Sequence, residues 1–315
     1  MDKRLISLVI ILFIVSCTSN SGNVKLEKDI YKGTSGIVLN FFDMPKEVFE
    51  NEELTYSVKI ENKGPYPVAN AKLLVSLEKG YAEFKDNGLH YYLKNDINMD
   101  GKTIYNLFDD FKLVNLPIKI LTLDAQSETH DSVILTTLCY DYEGQLYTDI
   151  CIDTDPHGLT PGNKACAQQT SISLSEGQGG PVVISKIDTK MLMDDDVIRP
   201  QFKINIVNQG KGTVTRPGAG AEVCDNNPLS RQSYNTISLS DVEISGRKMS
   251  SGQIECIPSD LILRNEEDFL TCTVTKQSGI PRTTASYLTP LQIKIKYGYT
   301  QSTSKEISIN KILKY

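Results

Sequence analysis

The sequence predicts an all-β chain in which one β-rich unit is used twice. The first sign is a string, Val58-Lys-Ile-Glu-Asn-Lys-Gly-Pro-Tyr-Pro-Val68, that recurs as Ile204-Asn-Ile-Val-Asn-Gln-Gly-Lys-Gly-Thr-Val214, an offset of 146 residues (204 − 58). The second is a shared Tyr-x-Tyr core in Leu138-Cys-Tyr-Asp-Tyr142 and Ile295-Lys-Tyr-Gly-Tyr299, at an offset of 157 (295 − 138). The third is the two-residue apolar alternation around both strings, the period of a half-buried strand. Leu54, Tyr56, Val58 and Ile60 fall on one face of the first copy, and Phe202, Ile204 and Ile206 on one face of the second.

Composition fits this reading. The chain has 315 residues, 40% hydrophobic and 23% charged, with a formal charge of −6. Length points to about two domains. The mild acidity and the lack of a basic cluster argue against nucleic acid as a partner.

Residues 1–17 read as a targeting segment. Lys3 and Arg4 precede an apolar run over residues 5–15 that only Ser7 interrupts, short for a bilayer span. The run ends in Ile14-Val15-Ser16-Cys17. That string resembles a lipobox, the processing signal of prokaryotic lipoproteins, and the resemblance implies that Cys17 becomes the lipid-modified N-terminus. The alternative is ordinary secretory cleavage near Ser16 or Ser19. Both place the protein outside the cytoplasm, and residues 18–35 then form a tether.

Residues 36–174 are the expected first domain. Strands fit 36–42 and 52–62. In the repeated motif, Asn62 and Gly64 stop the second of these, as Asn208 and Gly210 do in the other copy. Asn bonds its own backbone two residues on, and Gly accepts positive φ. Strands also fit 66–77, 118–123 and 133–142. Ile104, Leu107, Phe108 and Phe111 are spaced i, i+3, i+4, i+7, which suggests a short helix over 103–111, with an irregular strand as the alternative. The Tyr-x-Tyr tracts read as hairpins that close each domain, the first turning back through Glu143-Gly144-Gln145. Residues 175–181 (Ser-Glu-Gly-Gln-Gly-Gly-Pro) read as the interdomain linker, and 182–315 as the second domain, with strands at 202–208, 236–244, 269–275, 288–297 and 305–312.

Six cysteines follow Cys17, and an even number in an exported chain reads as disulfides. The hairpin places Cys139 opposite Cys151. Cys256 and Cys272 flank one strand-turn-strand and form the second pair. Cys166 is then left for Cys224. No Cys-x-x-Cys pair points to a thiolate metal site.

Catalytic strings are absent from the sequence: it holds no His-Glu-x-x-His, Gly-x-Ser-x-Gly or Gly-x-x-x-x-Gly-Lys-Ser/Thr. His90 and His130 read as surface or loop residues. Asp153, Asp155 and His157, on alternate positions of one loop, are metal-ligand candidates by donor type. They lack the Gly and terminal Glu of an EF-hand loop, so the plain expectation is a solvated turn. Asp194-Asp195-Asp196 reads the same way. Trp is absent and Tyr numbers 15. Tyr140, Tyr142, Tyr297 and Tyr299 read as strand packing, with a sugar platform as the alternative.

The repeated strand-Asn-x-Gly-strand motif, carried by Val58-Lys-Ile-Glu-Asn62-Lys-Gly64, resembles the CARDB and related bacterial and archaeal Ig-like surface domains. The layout is also similar to archaeal surface proteins with an N-terminal lipobox and two such domains. The resemblance implies two tandem Ig-like β-sandwich domains behind a signal and lipobox segment. It implies an adhesion, spacer or assembly role, without catalytic residues. The expected function is therefore binding or scaffolding at the cell surface. No cofactor is expected, the partners would be other envelope components, and the membrane would be reached through the anchor. An accessory polysaccharide- or peptide-binding role is the alternative, and a divergent hydrolase is third. Contact is expected where the insertion 210–233 and the loop 153–166, joined by Cys166–Cys224, form one surface.

Overall fold

The computed structural model describes residues 30–42, 44–159, 164–225 and 229–312. Cys17 and the targeting segment lie outside the described residues. Nearly every described element is a strand, and the all-β expectation holds. In the first half run β1 (Ile37–Phe41), β2 (Glu47–Phe49), β3 (Glu53–Asn62), β4 (Val68–Ser76), β5 (Ala82–Phe84), β6 (Tyr91–Met99), β7 (Asp110–Ile120) and β8 (Thr129–Ile152). The second half holds β9 (Ser171–Ser173), β10 (Val182–Asp194), β11 (Val197–Asn208), β12 (Thr213–Thr215), β13 (Thr236–Ile244) and β14 (Arg247–Lys248). It continues with β15 (Ile254–Ile257), β16 (Asp260–Ile262), β17 (Glu267–Val274), β18 (Ile280–Pro281) and β19 (Tyr287–Asn310).

These strands form three sheets. One is β1-β3-β7-β5 and belongs to the first half; one is β15-β17-β11-β10-β9 and belongs to the second. The third, β14-β13-β19-β8-β4-β6, runs through both. Each small sheet covers one end of the large one. Alternation along β3 and β11 sends every second side chain inward, and Tyr56 of β3 reaches across to Thr136 of β8, oxygen to oxygen 2.7 Å. The sandwich layers thus enclose a single apolar core whose members run from Ile37 to Ile309.

β8 and β19 are the spine. Each is 24 residues long, far beyond the usual strand, and at ~3.3 Å per residue each spans up to about 80 Å. They pair antiparallel along their whole length, from Tyr287↔Ile152 to Asn310↔Thr129. The expected closing hairpins are therefore absent: β8 runs straight through Glu143-Gly144-Gln145. The sequence there lacks a strong turn pair, and the alternation on both sides stays in phase, so the strand continues. Chain crosses the middle of the molecule inside these two strands. Residues 175–181 pack into the same waist. Gly179 N–H donates to Gly33 O at 2.7 Å, and the buried Gln178 side chain bonds both the N–H (2.7 Å) and the carbonyl (3.1 Å) of Ile184.

The helix suggested at 103–111 is also absent. Thr103 and Asn106 instead close a tight turn through two backbone hydrogen bonds of 2.9 and 3.1 Å. Asn106 Oδ1 then accepts from Phe108 N–H at 3.2 Å. Helical spacing of apolar residues builds a helix only where that face has a core to meet, and here the side chains face outward.

Candidate functional site

The waist gathers most of the residues that the sequence singled out. Tyr142 pairs in register with Tyr297, and Tyr140 with Tyr299. The repeat offset of 157 maps Tyr140 onto Tyr297 and Tyr142 onto Tyr299, so each pair maps onto the other with the strands exchanged. The facing tracts of β8 and β19 are thus related by a local two-fold axis that passes between Asp141 and Gly298. The four rings form a closed cluster, with centroids 5.7 Å (Tyr140–Tyr299), 5.9 Å (Tyr140–Tyr142), 6.2 Å (Tyr142–Tyr297) and 6.3 Å (Tyr297–Tyr299) apart. All four are buried, and burial pushes each hydroxyl above the ordinary tyrosine range. They are strand packing, as expected, and they line no open groove.

Each repeat turn docks on one of these rings. Asn62 Oδ1 accepts from Gly64 N–H at 3.1 Å and Asn208 Oδ1 from Gly210 N–H at 3.2 Å. Their amides donate four residues on, Asn62 to Tyr66 O at 2.7 Å and Asn208 to Gly212 O at 3.0 Å. Tyr142 OH meets Asn62 Oδ1 at 3.5 Å, and Tyr299 OH meets Asn208 Oδ1 at the same distance. The Asn role was legible in the sequence, but the Gly role was not. Neither Gly64 nor Gly210 has positive φ. A Cβ at either would fall 2.0 Å from the hydroxyl of Tyr142 or Tyr299. The glycines make room for a ring supplied from about 80 to 90 residues away (142 − 62 and 299 − 208).

One difference between the halves is put to use. The axis relates Asp141 to Gly298, which pair in register. Above Gly298 passes the insertion between β12 and β13. A Cβ on Gly298 would fall 2.2 Å from Thr215 Oγ1 and 2.6 Å from Gly220 N. The insertion is then latched to the first half: Asp141 Oδ1 accepts from Gly218 N–H at 3.0 Å and Gly220 N–H at 3.3 Å. Lys72 pairs with Asp225 and Cys139 is bonded to Cys224. Burial raises the Asp141 carboxyl, against the pull of those two N–H donors.

The disulfides correct two of the three expected pairs. Cys256–Cys272 is present, between register partners of β15 and β17. Cys139 and Cys151 cannot pair, because both lie on the straight β8, twelve residues and about 40 Å apart. Cys139 bonds Cys224 and Cys151 bonds Cys166. Among the described residues, the loop 153–166 and the insertion 210–233 are therefore tied to β8 at separate places, and the expected Cys166–Cys224 bridge does not join them. Three disulfides belong to an oxidising, extracytoplasmic compartment.

The acidic spots are internally satisfied. Asp153 is buried. Its carboxylate pairs with Lys164 at 2.6 Å and accepts from Asp155 N–H at 3.0 Å and Ser286 Oγ at 3.2 Å. Burial alone would raise it, but these partners outweigh burial and hold it below the usual carboxylate range. Asp155 accepts from Leu159 N–H at 2.9 Å. Among the described residues no group of three His, Cys, Asp or Glu side chains is arranged to hold a metal. Lys276 bridges Asp194 at 2.9 Å and Asp195 at 2.7 Å. His130 stacks on Tyr81 at 3.5 Å and pairs with Glu78 at 3.0 Å, a surface arrangement. His90 lies edge-on to Tyr91.

Two surface features are not legible in the sequence. A shallow depression on the outer face of β11 and β17 is lined by Asn205, Arg264, Glu267 and Phe269, with Lys203 Nζ 3.8 Å from the Phe269 ring centre. The other is the turn at 103–108. Its tip is open to solvent, Tyr105 93% exposed and Phe108 84%, and Ile104, Leu107, Phe111 and Leu113 are exposed beside them. No described helix is long and apolar enough to cross a membrane.

No protein-family model matches the chain, and no curated protein does. Among solved structures it is similar to the red sea bream transglutaminase, at 8% identity and a TM-score of 0.21, over 95% of this chain and 34% of that one. A likeness to the secreted serine protease VesC from Vibrio cholerae has 6% identity and a TM-score of 0.21, over 90% of this chain and 53% of that one. Another, to the sporulation control protein Spo0M from Bacillus subtilis, has 11% identity and a TM-score of 0.15, over 54% of this chain and 78% of that one. The chain thus spans a third to a half of the first two, and likenesses this slight carry no argument about activity.

Proposed function

We propose that this chain is a membrane-anchored, extracytoplasmic protein whose two Ig-like sandwiches serve a non-enzymatic binding or scaffolding role at the cell surface. The observation that carries the reading is the β8–β19 spine. It welds both halves into one elongated body, stapled by Cys139–Cys224 across the waist. Such a body suits presenting surfaces at a fixed spacing, which a hinged pair of domains does not. The polysaccharide-binding alternative loses its aromatic platform, since the four waist tyrosines are buried. Photo-crosslinking in intact envelopes, followed by mass spectrometry, tests both parts. The expected outcome is an acylated Cys17 at the mature N-terminus and a reproducible crosslink to a defined envelope component. An unmodified N-terminus beyond residue 17 removes the anchor, and the absence of any specific crosslink removes the scaffolding role.

A further inference from the structure

The turn at 103–108 is built more firmly than a solvated connection needs. Its base is pinned twice: Lys102 pairs with Asp109 at 2.7 Å, and Asp100 N–H donates to Asp110 Oδ2 at 2.9 Å. Its crown is closed by the Thr103–Asn106 backbone pair, and Thr103 Oγ1 accepts from Asn106 N–H at 3.0 Å. On this rigid frame the sequence places Ile104, Tyr105, Leu107 and Phe108, all pointing to solvent, and Phe111 and Leu113 follow on the exposed face of β7. Six large apolar side chains stand exposed within ten positions (104–113). Isolated exposed apolar residues are ordinary, but a group of this kind marks a contact surface.

Position tells what covers it. Gly101, the root of the turn, lies so close to Pro65 and Tyr66 that a Cβ there would fall 2.2 Å from Pro65 O and 2.8 Å from Tyr66 C. Tyr31, next to the first described residue Ile30, lies against the same Tyr66 with ring centroids 6.0 Å apart and the ring planes tilted by 55°. The root of the turn and the exit of the N-terminal segment therefore adjoin the same residue. From Cys17 to Ile30 is thirteen residues, at most about 45 Å of extended chain. An anchor at Cys17 holds Ile30 within that distance of the bilayer, on the side of the molecule where Tyr31, Tyr66 and the root of the turn meet.

We infer that Ile104, Tyr105, Leu107 and Phe108 form a membrane-contacting tip that enters the lipid headgroup region beside the N-terminal anchor. The inference rests on the anchored reading above and adds to it a second, protein-borne contact. The chemistry fits. Tyr and Phe favour the interface, where the ring is apolar and a hydroxyl can stay wet. A lipid anchor holds only the end of the tether, so a second apolar element turns a tethered body into a docked one. Docking would also fix the orientation of the spine relative to the membrane.

The chain contains no Trp, so a single introduced Trp is a clean reporter. Phe108→Trp is placed in the full-length, natively processed chain, reconstituted in phosphatidylcholine–phosphatidylglycerol vesicles with bromine-labelled acyl chains. Leu288→Trp, at an exposed site nine residues along β19 from Tyr297, is the distant control. The expected result is a blue-shifted Phe108→Trp emission quenched by the brominated lipid, with Leu288→Trp unshifted and unquenched. Ile104→Ser, Tyr105→Ser and Leu107→Ser, added to Phe108→Trp, should abolish the quenching at unchanged Tm. In vesicle flotation they should weaken binding at least about tenfold, as expected for losing several buried apolar groups. A water-like, unquenched Phe108→Trp spectrum overturns the proposal. So does a blue shift without bromine quenching, which would mean a second copy of the chain covers the tip. The N-terminal mass of the same sample separates the two readings. An acylated chain with an unquenched tip sinks the tip alone, and an unacylated chain with a quenched tip sinks the anchor alone. Failure of both sinks both.

Discussion

At the residue scale, the repeat motif is a turn built around a ring. Asn62 and Asn208 bond forward to their own backbones, and Tyr142 and Tyr299 close over Gly64 and Gly210. The Gly210 Cβ position lies 2.0 Å from Tyr299 OH, with Pro181 Cβ next at 2.8 Å. Gly210→Ala should therefore destabilise by about 1–3 kcal/mol, the usual cost of overpacking. Tyr299→Phe in the same chain should recover part of that loss, because it removes the nearest atom. Chemical denaturation of the single and double variants measures both, and strict additivity would remove the steric account. The asparagines could be read from the sequence because their bonds are local. The reason for the glycines could not, because the atom that excludes a side chain arrives from a different strand. The same division separates the cysteines. Cys256 and Cys272 lie on neighbouring strands, a pairing legible in their spacing; Cys139 and Cys151 look like neighbours only if β8 turns.

At the element scale, the insertion between β12 and β13 acts as a latch on the first half. Its length was legible as the eleven-residue growth of the repeat offset (157 − 146), but its destination was not, since nothing local aims it at Asp141. The latch has a pH sign. Burial raises the folded Asp141 carboxyl above its unfolded value, so the folded state binds more proton and stability falls as pH rises from the unfolded through the folded pKa. Asp141→Asn keeps an oxygen acceptor for Gly218 and Gly220 without the buried charge. Relative to it, wild type should lose stability through that acidic window, leaving the variant equal or more stable at neutral pH. Asp141→Ala leaves two N–H groups unpaired and should cost about 1–3 kcal/mol at every pH. Thermal melts from pH 4 to 8 read the difference. A wild type that gains stability on the Asn variant as pH rises would reverse the assignment. The apolar spacing at 103–111 teaches the complementary lesson: helical periodicity is informative only where a core is waiting for it.

At the scale of the whole molecule, the two halves share a sheet and a core. Neither half can lose β8 or β19 without exposing the other. Calorimetry of the oxidised protein should therefore give one transition, with calorimetric and van't Hoff enthalpies in agreement. Two resolved transitions would mean that the halves unfold independently and that the spine does not couple them. The repeat itself was plain in the sequence, because offsets of strings survive any arrangement of the copies. The sharing of the sheet was hidden, because the register of β8 against β19 depends on partners 135 (287 − 152) to 181 (310 − 129) positions apart.

Those long separations set the order in which the molecule can be completed. β8 finds its main partner only after everything from the first disulfide loop to the latch has been synthesised, and closing so long a loop is slow. Until β19 arrives, a 24-residue strand with a Tyr-rich face stands as an open edge, the kind that pairs with whatever strand is nearest. A chain emerging vectorially would therefore pass through an intermediate whose greatest hazard is its own spine. Cys151–Cys166, joining residues only 15 apart, is the first covalent tie that can form on β8, with Cys139–Cys224 following, both before β19 exists.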